Sequence, residues 1–122
     1  MSCWILVIDD DPWTREALVA ILRRAGYRVT AAGVFHPDLQ VEAGGCQVAV
    51  VDFHLPSLNG LEVARRLKEL QPECRVVMIS SEPPELAELA GQEHLVDRFL
   101  AKPFSKDAIL EVIAQLCPTP AA

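Results

Sequence analysis

The chain of 122 residues predicts one doubly wound α/β domain, and three observations predict it. Trp4-Ile5-Leu6-Val7-Ile8, Val48-Ala49-Val50-Val51 and Val76-Val77-Met78-Ile79 are unbroken apolar runs of strand length, the pattern of strands buried on both faces of a parallel sheet. Each run stops in polar residues: Asp9-Asp10-Asp11, Asp52 and Ser80-Ser81. Segments of helical period separate the runs, and strands alternating with helices read as a parallel sheet with right-handed crossovers.

In chain order, Pro12 suits the first turn of a helix with Asp11 as its N-cap, and Ala17, Leu18, Ile21, Leu22 and Ala25 recur at helical spacing. Arg15, Glu16, Arg23 and Arg24 take the wet side, and Gly26 closes the helix. Tyr27-Arg28-Val29-Thr30-Ala31 alternates as an edge strand does. A helix from Phe35 to Glu42 is expected before Gly44-Gly45 break the chain. Asn59-Gly60 opens an amphipathic helix carrying Leu61, Val63, Ala64, Leu67 and Leu70, which Pro72 stops. Pro83-Pro84 precede a short helix from about Glu85 to Gly91. A short strand centred on Phe99-Leu100-Ala101 ends at Lys102-Pro103, and Ser105 caps a last helix that buries Ala108, Ile109, Val112, Ile113 and Leu116. Residues 1–117 thus form the domain, and residues 118–122 have the composition of a tail or linker.

Composition narrows the function. Seventeen acidic against eleven basic residues give a net charge of −6, which disfavours nucleic acid or an anionic membrane as direct partner. No stretch approaches the roughly 20 apolar residues of a membrane span, and Trp4 starts a strand without a basic flank or cleavage site before it. The expected location is the cytoplasm. Cys3, Cys46, Cys74 and Cys117 are widely spaced, with no CxxC pair. They read as small buried hydrophobes in a reducing compartment, not as a zinc site or a disulfide framework.

Asp52 lies at the carboxyl end of a buried strand, where open α/β sheets bind ligands. An Asp there is also a common helix cap, so the stretch alone leaves both readings open. The topology nevertheless gathers Asp9, Asp10, Asp52, Ser80 and Lys102 at one sheet edge. Three carboxylates held together repel by about 4 kcal/mol per pair at 4 Å and an effective dielectric near 20, so a cation is required among them. Carboxylate oxygens suit Mg²⁺, while Lys102 and Ser80 suit the oxygens of a phosphoryl group. Neither a Gly-rich nucleotide loop nor a His paired with a nucleophile is apparent. Phosphoryl transfer to a carboxylate fits this set.

From Trp4 to Leu116 the sequence resembles the receiver domain of two-component response regulators. The resemblance is carried by Ile8-Asp9-Asp10 with Pro12, by Asp52 with Pro56 and Gly60, by Ser80, and by Phe99 with Lys102-Pro103-Phe104. It implies a (βα)5 flavodoxin-like fold with strand order 2-1-3-4-5 and a Lys102-Pro103 peptide that is typically cis. Asp52 would be the phosphoacceptor, supplied by a sensor histidine kinase or a His-phosphotransfer protein. Asp9, Asp10 and Asp52, with the backbone carbonyl of His54, would hold Mg²⁺ or Mn²⁺. Lys102 would pair with Asp52 and then with its phosphoryl group. Ser80 and Phe99 would be switch residues, remodelling the surface of the fourth helix, fifth strand and last helix toward a downstream effector or a phosphorylation-dependent dimer. The plainer alternatives are a strand-end hydroxyl for Ser80 and a core aromatic for Phe99. Trp4 and Trp13 flank the acids in sequence, and Trp13 is a candidate reporter of metal binding. His94-Leu95-Val96 stands where the family often has Gly-Ala, a departure on the usual output face. A phosphohydrolase with an Asp nucleophile is the rival, but such enzymes carry a second Asp two residues on, where this chain has His54. The other rival is a receiver fold serving only as a constitutive interaction surface.

Overall fold

A computed structural model of the chain describes residues 3–36, 45–56, 59–82 and 91–117. Five strands, β1 (Trp4–Ile8), β2 (Arg28–Ala32), β3 (Val48–Asp52), β4 (Arg75–Ser80) and β5 (Arg98–Ala101), form a parallel sheet in the order β2-β1-β3-β4-β5. Three helices are described: α1 (Pro12–Arg24), α2 (Gly60–Leu70) and α3 (Lys106–Leu116). The helix expected from Phe35 to Glu42 falls almost wholly outside the described residues. So do Pro83-Pro84, the short helix after them and the tail 118–122.

The unbroken apolar runs have a simple cause, since alternate residues of β1, β3 and β4 point to opposite faces and both faces are covered. Leu6, Ile8, Ala49, Val51, Val76 and Met78 pack with Leu61, Val63, Ala64 and Leu67 of α2. Ile5, Val7, Val48, Val50, Val77 and Ile79 pack with Leu18 and Leu22 of α1 and Ile109 and Ile113 of α3. Leu95, in a 3-10 turn over Glu93–Leu95, is buried in the α2 layer. The unusual His94-Leu95-Val96 segment therefore supplies a core side chain.

Each described α-helix starts where a polar side chain takes up an orphan N–H. Asp11 accepts from Trp13, Asn59 from Glu62 and Ser105 from Ala108. Pro12 occupies the first turn of α1, and Gly26, at φ 98°, follows that helix in the left-handed region. Asn59, not Asp52, caps α2, which removes the capping alternative for Asp52.

Gly60 is required by contact. A Cβ there would stand 2.6 Å from Met78 Sδ and 2.8 Å from both the Asp52 carbonyl oxygen and Phe53 Cα. The N-terminus of α2 is thereby seated on the backbone that carries Asp52, and Gly60 N donates to the Phe53 carbonyl at 2.8 Å.

At the opposite edge of the sheet, Asp97 accepts from Val76 N at 2.7 Å, Lys68 Nζ at 3.1 Å and Arg75 Nη1 at 3.2 Å. Burial works against its charge, but the Val76 N–H and the Lys68 ammonium outweigh it and hold the carboxyl below its ordinary value. One side chain so ties β5 to β4 and α2.

The cysteines depart from expectation. Cys3 and Cys117 form a disulfide across 114 residues, with Cα atoms 6.1 Å apart. Spacing along the chain gave no sign of it, because the pair meets only through topology. A strand begins, and the helix returning antiparallel to it ends, at the same edge of the sheet. Closing a loop of about 100 residues is worth roughly 5 kcal/mol in a chain-entropy account. Only Cys46 and Cys74 remain the buried thiols that the sequence implied.

Two outcomes follow. Gly60→Ala should lower the urea midpoint by an amount corresponding to about 1–3 kcal/mol, as small-to-large changes in packed sites do. Asp97→Asn should cost about 1–3 kcal/mol at neutral pH. Because the folded pKa of Asp97 is depressed, its contribution is present above about pH 4 and fades as pH falls through the folded value, so the gap between variant and wild type should close in acid denaturation curves.

Candidate functional site

The sheet register assembles the carboxylate rim. Ile8 stands opposite Val51, so the next residues, Asp9 and Asp52, emerge side by side from adjacent strands. Ser80 stands opposite Ala101, and the Lys102 N–H donates to the Ser80 carbonyl at 2.9 Å. Lys102 therefore leaves the sheet one step beyond Ser80, and the Lys102-Pro103 peptide is cis.

Four of the sequence-predicted residues meet there. Oxygens of Asp9, Asp10 and Asp52 all lie within 4.8 Å of one another. Lys102 Nζ stands 3.1 Å from Asp9 Oδ2 and 3.4 Å from Asp52 Oδ2. The remaining oxygens face backbone donors: Asp9 Oδ1 accepts from Asp11 N at 2.9 Å and Asp52 Oδ1 from His54 N at 3.2 Å. Asp9 and Asp52 are buried, whereas Asp10 is exposed.

The electrostatics leave the site short of positive charge. Burial pushes the Asp52 carboxyl above its ordinary value, and the charge of Asp9 adds to that, against the His54 N–H and Lys102. Burial opposes the charge of Lys102, yet Asp9 and Asp52 together raise its pKa. One ammonium cannot neutralise three carboxylates. Asp9 Oδ2, fully buried, has no hydrogen-bond partner among the described residues despite its ionic contact with Lys102. A buried carboxylate oxygen held only by an ionic contact, amid two further acids, is part of a hard oxygen donor set, which fits a small divalent cation.

The other candidates are placed differently. The Ser80 hydroxyl, buried at the tip of β4, donates to the Glu82 carbonyl and accepts from Glu82 N at 3.1 Å. No hydrogen bond joins it to Asp52 here, and reaching an oxygen on Asp52 means giving up this turn. Phe99 is 46% exposed on β5, so the reading of it as core is overturned. The His54 side chain is exposed and its ring meets Phe53 edge-on at 4.9 Å. Asp11 acts as the cap of α1, with Thr14 Oγ1 donating to it at 2.6 Å.

Of the tryptophans, only Trp13 is at this rim. Trp4 is the first residue of β1 and Asp9 follows its last, so the length of the strand separates them, and the Trp4 ring lies 3.9 Å from the Arg28 guanidinium. Trp13 is 81% exposed and, with Ala17, Ile21, Pro103 and Phe104, walls a groove of about 420 Å³ that also reaches Lys102. Sequence reasoning missed this groove and also Arg15. Amphipathic patterning put Arg15 in water, whereas its Nη1 donates to the Asp9 carbonyl at 2.8 Å. Its place in the first turn of a helix starting beside the acids was the available signal.

Comparison with known proteins agrees with this fold. A family profile described as the response regulator receiver domain matches residues 5–114. The response regulator TodT of Pseudomonas putida is 34% identical over 113 residues, covering 89% of this chain and 48% of TodT. The response regulator MprA of Mycobacterium bovis is 33% identical over 112 residues, covering 90% of this chain and 48% of MprA. The chain thus spans about half the length of these curated relatives. Among solved structures, the BeF3-activated DrrB receiver domain superposes with a TM-score of 0.79 at 27% identity, over 95% of this chain and 97% of that one. A CheY-like receiver from Methanospirillum hungatei, at 23% identity and a TM-score of 0.83 over 94% and 93% of the two chains, shares the fold.

Asp52→Asn should raise the melting temperature in metal-free buffer by a few degrees, a gain of order 1 kcal/mol being worth roughly 4 °C at this size. A carboxyl whose folded pKa is raised destabilises the fold once ionised, so the gain should be absent below about pH 4 and open as Asp52 loses its proton. Thermal melts of both proteins from pH 3 to 8 measure it.

Proposed function

The chain belongs to the response regulator receiver family, the phosphoacceptor modules of two-component systems, and we propose that Asp52 is its acceptor. The contact of Lys102 Nζ with Asp9 Oδ2 at 3.1 Å and Asp52 Oδ2 at 3.4 Å, on the rim where the strands end, carries this reading. In the reaction an oxygen of Asp52 attacks the phosphorus of a phosphohistidine on a sensor histidine kinase or His-phosphotransfer protein. The N–P bond breaks, an O–P bond forms, and the departing imidazole takes a proton.

Asp9, Asp10 and Asp52, with the backbone carbonyl of His54, would hold Mg²⁺ or Mn²⁺. The ion, when bound, supplies positive charge to the carboxylates and to the oxygens of the transferring group. Lys102 neutralises Asp52 beforehand and follows the charge onto the phosphoryl oxygens afterwards. Its buried surroundings make that ammonium more effective than one in open water.

Ser80 is the group free to change partner. Exchanging Glu82 for a phosphoryl oxygen moves the tip of β4, and the exposed Phe99 on the neighbouring strand has an outward position from which to turn in. Only the phosphorylated state can make the Ser80 contact, which is the differential affinity that a population shift needs. The output surface then serves a downstream effector or a dimer partner. The apolar groove under Trp13 gives the phosphodonor protein a surface beside Lys102. The domain, taken as residues 1–117, acts in this reading as a signalling module in the cytoplasm, altering no substrate but itself.

The phosphohydrolase reading is not favoured, because His54 occupies the position of the expected second acid and its side chain lies outside the carboxylate cluster. A purely constitutive interaction module would have no use for a buried, partner-poor Asp9 oxygen.

With Mg²⁺ and a small acyl phosphate donor, intact mass should increase by one phosphoryl group. Asp52→Asn should abolish the increase. Lys102→Ala should still bind the metal, read by quenching of Trp13, but accept phosphoryl roughly 10²-fold more slowly. An unmodified wild type under these conditions, or equal labelling of Asp52→Asn, would refute the assignment.

A further inference from the structure

All four cysteines stand at the edge of the sheet opposite the carboxylates. Cys3, Cys46 and Cys74 precede β1, β3 and β4, and Cys117 is the C-cap of α3. They divide into two pairs on opposite faces, Cys3 with Cys117 in the α1 and α3 layer, Cys46 with Cys74 in the α2 layer.

The pairs differ in chemistry. Cys46 and Cys74 are fully buried with sulfurs 3.6 Å apart. Their mutual hydrogen bond and burial push the Cys74 thiol far up, so it stays protonated and is no nucleophile. In the other pair Cys3 is fully buried but Cys117 is only half-buried. Of the two, Cys117 is the end nearer solvent.

The two ends of that bond are also held unequally. Cys3 is fixed in the sheet, where the Arg28 N–H donates to its carbonyl at 3.1 Å and Trp4 N donates to Gln47 Oε1 at 2.6 Å. The last turn of α3 has no basic residue to satisfy its carbonyl end, and Leu116 is only partly buried. The Cys117 N–H bond to the Ile113 carbonyl at 2.8 Å stays within α3, so among the described residues packing and the disulfide are what join that turn to the sheet.

We propose that Cys3–Cys117 is a reversible thiol–disulfide site, opened and closed by low-molecular-weight thiols and their disulfides, whose state sets how firmly the last turn of α3 is held to the sheet. In the opening reaction a thiolate attacks Cys117 Sγ, the S–S bond breaks, and Cys3 leaves with the electron pair and takes a proton. A second thiolate attacks the thiol-derived sulfur of the mixed disulfide, releasing Cys117 as thiolate, which is then protonated. Two thiols are oxidised to one disulfide while the protein gains two electrons and two protons. Closing is the reverse, with the small disulfide as oxidant. The site would give the domain a redox input on the rim opposite Asp52, and it stands whether or not Asp52 is the phosphoacceptor.

The full chain, equilibrated under native conditions in glutathione buffers of varied thiol-to-disulfide ratio, is quenched with iodoacetamide and mapped by peptide mass. Cys3 and Cys117 should become alkylated together, with Cys46 and Cys74 reacting only after denaturation. Hydrogen exchange of the amides from Ile113 to Cys117 should quicken roughly tenfold on reduction through a local opening that low urea does not alter, whereas any quickening in β1 and β3 should track the lost global stability and grow with urea. The Cys3→Ser/Cys117→Ser double variant should show the fast pattern in both buffers. Should it not fold, native reduction of the wild type still decides. A bond that opens only on global unfolding, equal exchange in the two redox states, or prior alkylation of Cys46 and Cys74 would each overturn the proposal.

Discussion

The rim is built on a crowded electrostatic arrangement: two buried carboxylates side by side at the ends of adjacent parallel strands, with a single ammonium between them. Asp9 and Asp52 are where the β1 and β3 register puts them, and they cannot separate without breaking the sheet. Lys102 reaches both oxygens, yet it is one charge against three acids. Such an imbalance costs stability, and only what binds at the rim relieves it. In the proposed reading, readiness to take a cation, and then a phosphoryl group whose charge Lys102 shares, follows from that unrelieved state.

Around this rim the protein spends its rigid elements on position. Both faces of the central strands are covered by packed helices, Gly60 lets α2 sit on the backbone of Asp52, and Asn59 and Asp11 cap the helices that begin beside the site. At the margin, among the described residues, the Ser80 hydroxyl is bonded only to its own turn and Phe99 faces solvent. The far edge is fastened by other means, the Asp97 cluster on one layer and the Cys3–Cys117 bond on the other. Chemistry and anchorage occupy opposite ends of the same strands.

Much of this was legible from residue order. Strand runs on β1, β3 and β4, the caps Asp11 and Ser105, the start of α2 at Asn59-Gly60 and the convergence of Asp9, Asp10, Asp52 and Lys102 are local patterns plus one topological rule, and such patterns survive folding unchanged. Where the reading failed, the cause was partner identity. Arg15 looked like a solvated helix residue until the Asp9 carbonyl came within reach, and Trp4 looked close to the acids because sequence distance ignores the length of an extended strand. Phe99 was ambiguous because an edge strand buries its residues on neither face reliably.

The sequence by itself determined the alternation of strands and helices, the set of acids at the strand ends and the lysine that joins them, since each rests on periodicity or on which residue follows a strand. Tertiary structure alone decided that Cys3 meets Cys117, that Cys46 meets Cys74, that Asp97 binds Lys68 and Arg75, and that one oxygen of Asp9 is buried without a hydrogen bond. The physical reason is that hydrogen bonds, ion pairs and disulfides act over a few ångströms in space. Residues 114 apart along the chain become neighbours only after the sheet has set which strand ends share an edge.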